Sequence, residues 1–191
     1  MNPKKLLVPS TDPILKQVCE RVAPDEDVSG LIEKMAAVCR KCKGAGLAAP
    51  QIGVAKQVIY VMGFGANGAI RGFAMINPEI TEYGMGREIA VEGCLSYPGI
   101  HKRILRSIHI KVVYEDESRK VSWSDPSGFA ARVIQHEVDH LSGICRVGDP
   151  SYPEASEDFR LQVDRAIDAK MQSRVAMTSV IGSALASGMP R

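Results

Sequence analysis

Apolar residues recur at helical spacing near the start of the chain. The spacing predicts a short helix over residues 13–19 and a longer one over residues 28–42, which ends before Gly44. The inner stripe of the longer helix includes a lone C-x-x-C pair, Cys39 and Cys42. Since no second pair completes a structural zinc site, we interpret these cysteines as packing residues of the helix.

A later stretch is apolar on almost every side. Asp125 and Pro126 provide an N-cap and a first-turn proline, and Gly143 provides a stop, so the pattern predicts a helix of about sixteen residues. A helix with so little polar surface lies at the centre of a fold. One apolar stripe among charged positions predicts a last helix over residues 155–177.

Short β-branched runs alternate with turn residues between the helices. The runs predict strands at residues 54–62, 73–76, 79–83, 87–91 and 108–115. Short strands joined by tight turns favour antiparallel pairing. The expected fold is α+β, with antiparallel β-sheets around a buried central helix and a C-terminal helix. We expect one domain over residues 1–191, with a core at about 6–149, the helix at about 155–177 and a tail at 178–191.

Composition narrows the class of protein. The 24 Lys and Arg nearly balance the 22 Asp and Glu, and no run of five like charges is present, which disfavours DNA binding. No window approaches the roughly 18 uninterrupted apolar residues of a membrane-spanning helix, and the first apolar run is too short for a signal peptide. The five cysteines lack the spacing of a disulfide framework. We therefore expect a cytoplasmic protein that binds neither DNA nor membrane.

The central helix contains an H-E-x-x-H motif, His136 to His140. Two histidines four positions apart stand one turn above each other and can bind one metal ion. Glu137 lies about 100° round the helix axis and can reach a water on that ion. Because a Glu buried beside two imidazoles without a metal would be costly, the motif predicts a catalytic metal site.

An open catalytic site usually has three protein ligands, so a third ligand is needed. Cys94 is the strongest candidate, although a lone Cys can equally be a small buried hydrophobic residue. It lies within Glu92–Gly99, where paired glycines and a proline predict a tight, fixed loop.

Three segments resemble motifs of the peptide deformylases, the metalloenzymes that remove the formyl group from the N-terminal methionine of new proteins. They are Gly44–Gln51 (G-A-G-L-A-A-P-Q), Glu92–Ser96 (E-G-C-L-S) and Gln135–Gly143 (Q-H-E-V-D-H-L-S-G). The resemblance spans roughly residues 6–149. It departs from the family pattern at Cys42 and Lys43, where many members have acidic residues, and again after Gly143.

The resemblance implies a metal centre formed by Cys94, His136 and His140. It implies one divalent ion per chain, with Fe(II) the expected ion and Zn, Ni or Co able to occupy the same site. A thiolate with two imidazoles suits such borderline-soft ions. Glu137 would act first as general base and then as general acid.

The resemblance also implies the groups that handle the substrate. The side-chain amide of Gln51 and the backbone N–H of Leu95 would stabilise the oxyanion. The residues expected to contact the peptide are Gly44, Gly46 and Gly93, which lack a Cβ, and Phe129 and Val133, which would line a methionine pocket. The substrates would be N-formyl-methionyl nascent peptides, and the ribosome is a candidate partner of the last helix.

Two alternatives stay open at this stage. The first is an H-E-x-x-H metallopeptidase whose third ligand is a downstream carboxylate, Glu154 or Glu157, and which uses neither Cys94 nor Gln51. The second is a non-catalytic relative that binds nascent chains through the same groove.

Overall fold

The computed structural model describes residues 6–64 and 70–165. The chain divides into two compact units, Met1–Glu154 and Ala155–Arg191. The elements of the first unit are α1 (Ser29–Cys42), β1 (Gly46–Ala48), β2 (Val58–Phe64), β3 (Ile70–Tyr83), β4 (Arg87–Cys94), β5 (Tyr97–Ser107), β6 (Ile110–Glu115), β7 (Val121–Ser124) and α2 (Gly128–Leu141). The described part of this unit also includes the 3-10 helices Pro13–Lys16 and Ala49–Ile52.

In the second unit, residues 157–165 are helical. The rest of the helix predicted to residue 177 and the tail at 178–191 lie outside the described residues. The single domain over residues 1–191 stays a prediction. None of the helices within residues 6–64 and 70–165 is long and apolar enough to cross a membrane.

The strands form two antiparallel sheets. The larger sheet has the order β1-β2-β3-β6-β7, and β4 and β5 form a two-stranded sheet. The predicted α+β class with antiparallel sheets is confirmed. Because β1 stands first in the strand order, one of its edges has no strand partner among the described residues.

The helix α2 is buried as predicted, packed against β1 and β2. Ala131, Ile134 and Leu141 are among its buried residues, and they share a core cluster with Ile59 and Met75. Burial of these apolar side chains contributes about 25 cal/mol of stabilisation per Å² of apolar surface, which holds the helix in the centre of the fold. The site residues on α2 are therefore carried on a rigid element.

The predicted start of this helix is wrong. The helix begins at Gly128 after Ser127, whose side chain makes no cap hydrogen bond. The cause is the pairing of the preceding backbone with the chain that enters β6: Pro126 O accepts from Ile110 N, and Gly128 N donates to Ile108 O. This pairing keeps the chain extended through Pro126.

The two strands predicted at residues 73–76 and 79–83 are one strand, β3. A bulge lies between Ile76 and Glu79, where Asn77 takes a left-handed conformation with φ 51°. The Asn77 side chain stabilises this conformation, since its Oδ1 accepts from Val22 N at 2.8 Å and its Nδ2 donates to Glu115 Oε1. The chain therefore bends without ending the strand.

The interpretation of the two cysteines in α1 is confirmed for Cys39, which is fully buried among Met35, Leu47 and Tyr60. Cys42, the last residue of α1, is partly buried against the same cluster. Neither belongs to a cluster of metal-type donors within the described chain.

Candidate metal centre and active site

Two elements bring three metal-type donors together. The ligand atoms of Cys94, His136 and His140 all lie within 4.8 Å of one another, and Cys94 Sγ is 3.2 Å from His140 Nε2. The two imidazole rings are one helical turn apart on α2, with centroids separated by 5.1 Å. The predicted Cys/His/His set is thus assembled from residues about 40 positions apart in sequence.

The position of Cys94 corrects the loop expectation. Glu92, Gly93 and Cys94 are the last three residues of β4, and only Leu95 and Ser96 form the turn before β5. The strand pairing, in which Gly93 lies opposite His101, fixes the backbone that carries the thiol.

The three donors fit a divalent cation. Burial lowers the pKa of His140 to about 3, which keeps the ring neutral and its lone pair available. A hydrogen bond with Cys145 and burial together raise the pKa of Cys94. His140 Nδ1 and Glu137 Oε2 are buried without a hydrogen-bond partner among the described residues. One soft and two borderline donors beside unpaired polar atoms suit Fe(II), Zn or a similar ion.

The Glu137 carboxylate is buried directly against β1. A Cβ on Gly46 would lie 2.6 Å from Glu137 Oε1 and 2.8 Å from Val133 Cγ1, so only glycine fits there. Burial raises the pKa of Glu137 to about 7. A carboxylate that titrates near neutrality can both accept and return a proton.

Three side chains converge on the Glu92 carboxylate. Arg106 donates to it through Nε at 2.9 Å and Nη2 at 3.0 Å, Arg132 donates through Nη1 at 2.8 Å, and His136 Nδ1 lies 2.9 Å away. Burial pushes the Glu92 pKa up, but the hydrogen bonds from His136 and Arg106 outweigh it and hold the pKa at about 2. The Glu92 anion thus orients the His136 ring, which leaves Nε2 for a metal.

A second carboxylate extends this ion-pair network along α2. Asp139 Oδ2 accepts from Arg106 Nη1 at 2.5 Å and from Arg146 Nε at 2.7 Å. Arg146 also donates to Tyr152 Oη at 2.8 Å. The sequence analysis missed Arg132, whose contact with Glu92 is made between residues 40 positions apart, and Arg146, which pairs with Asp139 from beyond the end of α2 and belongs to no motif.

The Gln51 side chain is fixed at both ends. Its Oε1 accepts from Ala48 N at 2.8 Å, and its Nε2 donates to Ser96 Oγ at 3.1 Å and lies 3.5 Å from Cys94 Sγ. The amide N–H groups therefore face the metal centre. A donor whose position is set before the reaction can stabilise developing charge without a reorganisation cost.

A cleft of about 970 Å³ opens over the centre. The predicted site residues that line it are Gly44, Gly46, Gln51, Gly93, Cys94, Leu95, Phe129, Val133, His136 and Glu137. His140 is 1% exposed and lies behind the cleft surface. The structure therefore brings every predicted site residue to one place.

The structure does not bring Glu154, one of the two alternative ligands, to the metal-type donors of the described residues. Glu154 Oε1 accepts from Arg103 N at 3.4 Å, and the cluster of metal-type donors among the described residues contains Cys94 instead. An H-E-x-x-H helix, a thiol beside its two imidazoles and a buried carboxylate are typical of a metal-dependent hydrolase.

Comparisons with known proteins identify the family. The family described as "Polypeptide deformylase" matches residues 4–150. A peptide deformylase of Picosynechococcus sp. is 40% identical over 134 residues, which cover 70% of this chain and 72% of the relative. A probable peptide deformylase from a Synechococcus phage has a TM-score of 0.68 at 35% identity and covers 73% of this chain and 95% of its own. A Met-Ala-Ser-bound peptide deformylase of Acinetobacter baumannii has a TM-score of 0.66 at 30% identity, with coverage of 73% and 93%.

The chain belongs to the peptide deformylase family. It is an enzyme with peptide deformylase activity, and it carries the Cys/His/His metal-binding triad of that family.

Proposed function

We propose that the enzyme removes the formyl group from the N-terminal methionine of nascent polypeptides. Cys94, His136 and His140 would hold one divalent ion, Fe(II) in the cell, with Zn, Ni or Co able to replace it. The observation that carries the proposal is the buried Glu137 carboxylate, which lies beside this donor set and whose Oε2 has no hydrogen-bond partner among the described residues. The peptide bound by the Acinetobacter baumannii relative, Met-Ala-Ser, supports methionyl peptides as the ligand class.

The bound cation would supply a Lewis acid that lowers the pKa of a water and polarises the formyl carbonyl. Glu137 takes a proton from the water while the oxygen of that water attacks the formyl carbon. The C–N bond then breaks, Glu137 returns the proton to the departing amine, and formate and a free N-terminus are released. The pKa of Glu137, raised by burial to about 7, suits both transfers.

Gln51 and Leu95 would stabilise the negative charge that develops on the formyl oxygen. The Gln51 amide is oriented by Ala48 N and keeps its donor at every working pH, because an amide does not ionise. Leu95 directly follows Cys94 in the chain, so its backbone N–H would lie on the Cys94 side of the donor set. One such donor contributes on the order of 10²–10³ in kcat.

The peptide would bind as an additional strand on the open edge of β1. Ala45 O accepts from Met62 N of the neighbouring strand, so the backbone N–H and C=O of the next residue, Gly46, point to the open edge. The Gly44 N–H instead donates to Cys39 O at the end of α1. The methionine side chain would then lie between Val133 and Phe129, which line the cleft, with Gly93 on the opposite wall.

The place of action follows from the substrate. Nascent polypeptides leave the ribosome in the cytoplasm, so we place the enzyme there, with the ribosome as a candidate partner. The catalytic groups all lie within Met1–Glu154.

Product analysis by mass spectrometry tests the proposal. Anaerobically purified enzyme should convert formyl-Met-Ala-Ser to Met-Ala-Ser and formate, and should leave acetyl-Met-Ala-Ser, the matched control, unchanged. Cleavage of an internal peptide bond would instead support the metallopeptidase. Metal-loaded protein that yields no product would support the non-catalytic binder.

A further inference from the structure

We propose that Lys43, at the mouth of the cleft, makes this enzyme favour acidic side chains in the third and fourth residues of the formylated peptide. The inference rests on the proposed function, because it requires the peptide to bind along β1. It concerns a position where the sequence departs from the family pattern.

The charges that line the cleft are divided between its floor and its mouth. The two lining carboxylates, Glu92 and Glu137, are 6% and 5% exposed, and Glu92 is held by Arg106 and Arg132. The exposed ionisable side chains of the lining are all basic: Lys41, Lys43 and His101. A peptide that leaves the centre therefore meets positive charge, and no exposed carboxylate, on the cleft wall that the described residues form.

The backbone of Lys43 is fixed by the end of α1. Lys43 takes a left-handed conformation with φ 55°, and its N–H donates to Arg40 O at 3.1 Å. The next residue, Gly44, packs against Leu95, since a Cβ there would lie 2.8 Å from Leu95 Cδ1. Lys43 has no ion-pair partner among the described residues, so its charge is available to a ligand.

The short stretch of chain between Lys43 and Gly46 selects the peptide residues that Lys43 meets. Gly46 touches Glu137, so the formylated methionine lies opposite Gly46. In an antiparallel pair, each step outward on the peptide is one step back on the protein strand, about 3.3 Å per residue. Lys43 is the left-handed C-cap of α1 and lies outside β1, no more than about 10 Å of chain from Gly46. It lines the cleft mouth, so its side chain is within reach of the third and fourth peptide residues, which would lie about 7–10 Å from the methionine.

The expected preference is modest because the pair is exposed to solvent. A single exposed ion pair changes an equilibrium by about two- to fivefold, and salt weakens it. Acidic peptides should therefore have a kcat/KM about two- to fivefold above that of neutral ones, and basic peptides should fall below the neutral ones by a similar factor. The kcat should hardly change, since Lys43 lies away from the reacting atoms.

The test uses formyl-Met-Ala-Xaa-Xaa peptides in which both variable residues are Glu, Gln or Lys. For the wild-type enzyme at low salt, we expect kcat/KM to fall in the order Glu, Gln, Lys. Lys43→Glu should reverse the order, and Lys43→Asn, which tolerates the left-handed backbone, should abolish the preference. The matched control Lys34→Glu makes the same charge change on an exposed face of α1 away from the cleft, and should keep the wild-type order.

The outcomes separate this inference from the proposed function. Equal kcat/KM values for the three peptides, or the same change in Lys34→Glu as in Lys43→Glu, would overturn the role of Lys43 while deformylation stands. No formate from any of the peptides would refute the proposed function, and this inference with it.

Discussion

Gly46 and Glu137 touch at the floor of the cleft, where a Cβ on Gly46 would lie 2.6 Å from Glu137 Oε1. The strand that would receive the peptide and the carboxylate that would move the proton are therefore packed on each other. This contact sets the position of the proposed base relative to the proposed substrate.

Gly46→Ala should displace the Glu137 carboxylate and lower kcat by about a hundredfold, which is the order of loss caused by a 1 Å misplacement of a catalytic group. Metal content should not change, since the atoms nearest to a Cβ at Gly46 belong to Glu137 and Val133 and not to Cys94, His136 or His140. Steady-state formate release and metal analysis measure both quantities. Gly30→Ala is the matched control: no atom lies within 4 Å of a Cβ at Gly30, so activity should be unchanged. Full activity in Gly46→Ala would refute the contact.

Glu92→Gln should weaken metal binding and destabilise the fold. The change removes the anion that orients His136 and leaves two buried guanidinium groups, Arg106 and Arg132, without it. We expect a loss of about 3–5 kcal/mol in the free energy of unfolding and of about 10–100-fold in metal affinity. Denaturant titration and metal competition measure these.

Glu88→Gln is the control for that change. Glu88 is 58% exposed and lies 3.6 Å from Arg132, so its loss should cost less than about 1 kcal/mol. If the two variants had equal stability, the buried network would not orient the site as described.

Much of the site could be predicted because its pattern is local. The four-residue spacing of His136 and His140 fixes their relation on any helix, and Glu137 follows from the same geometry. The motif at Cys94 supplied the third ligand through the family resemblance. The actual start of α2 could not be predicted, because it depends on hydrogen bonds that Pro126 and Gly128 make with Ile110 and Ile108 at the entry to β6.

The contacts that orient the site also could not be predicted from local sequence patterns. Arg132 reaches Glu92 across 40 residues of sequence, and Asp139 is shared by Arg106 and Arg146. Such pairings follow from the packing of α2 on the two-stranded sheet. The helical and strand periodicities of a sequence do not specify which charged residues will form ion pairs.

Gln51→Glu should reduce kcat by about 10²–10³-fold with little change in metal content. The variant keeps the shape of the side chain and the acceptor for Ala48 N, but replaces the N–H donors with a carboxylate. Gln57→Glu is the control, since Gln57 donates to Cys19 O away from the cleft. If the activity of Gln51→Glu were within about threefold of the control, which is the effect of a single exposed contact, the proposed oxyanion role would be refuted.

The Cys94→Ser variant should lose its metal at free metal concentrations at which the wild-type enzyme retains it. A serine hydroxyl is a poor ligand for a borderline-soft ion, whereas a thiolate is a strong one. Cys19→Ser, at a buried thiol outside the donor cluster, should be less stable yet keep its metal. Metal analysis after gel filtration compares the two variants. Equal metal content would mean that Cys94 is not a ligand.

The most direct test of the account is the comparison of wild-type enzyme with Glu137→Gln, with formate release and metal content determined on the same anaerobically purified samples. We expect about one metal ion per chain in both proteins and formate release only in the wild type, because Gln cannot accept the proton. Formate release by metal-loaded Glu137→Gln at the wild-type rate would contradict the account.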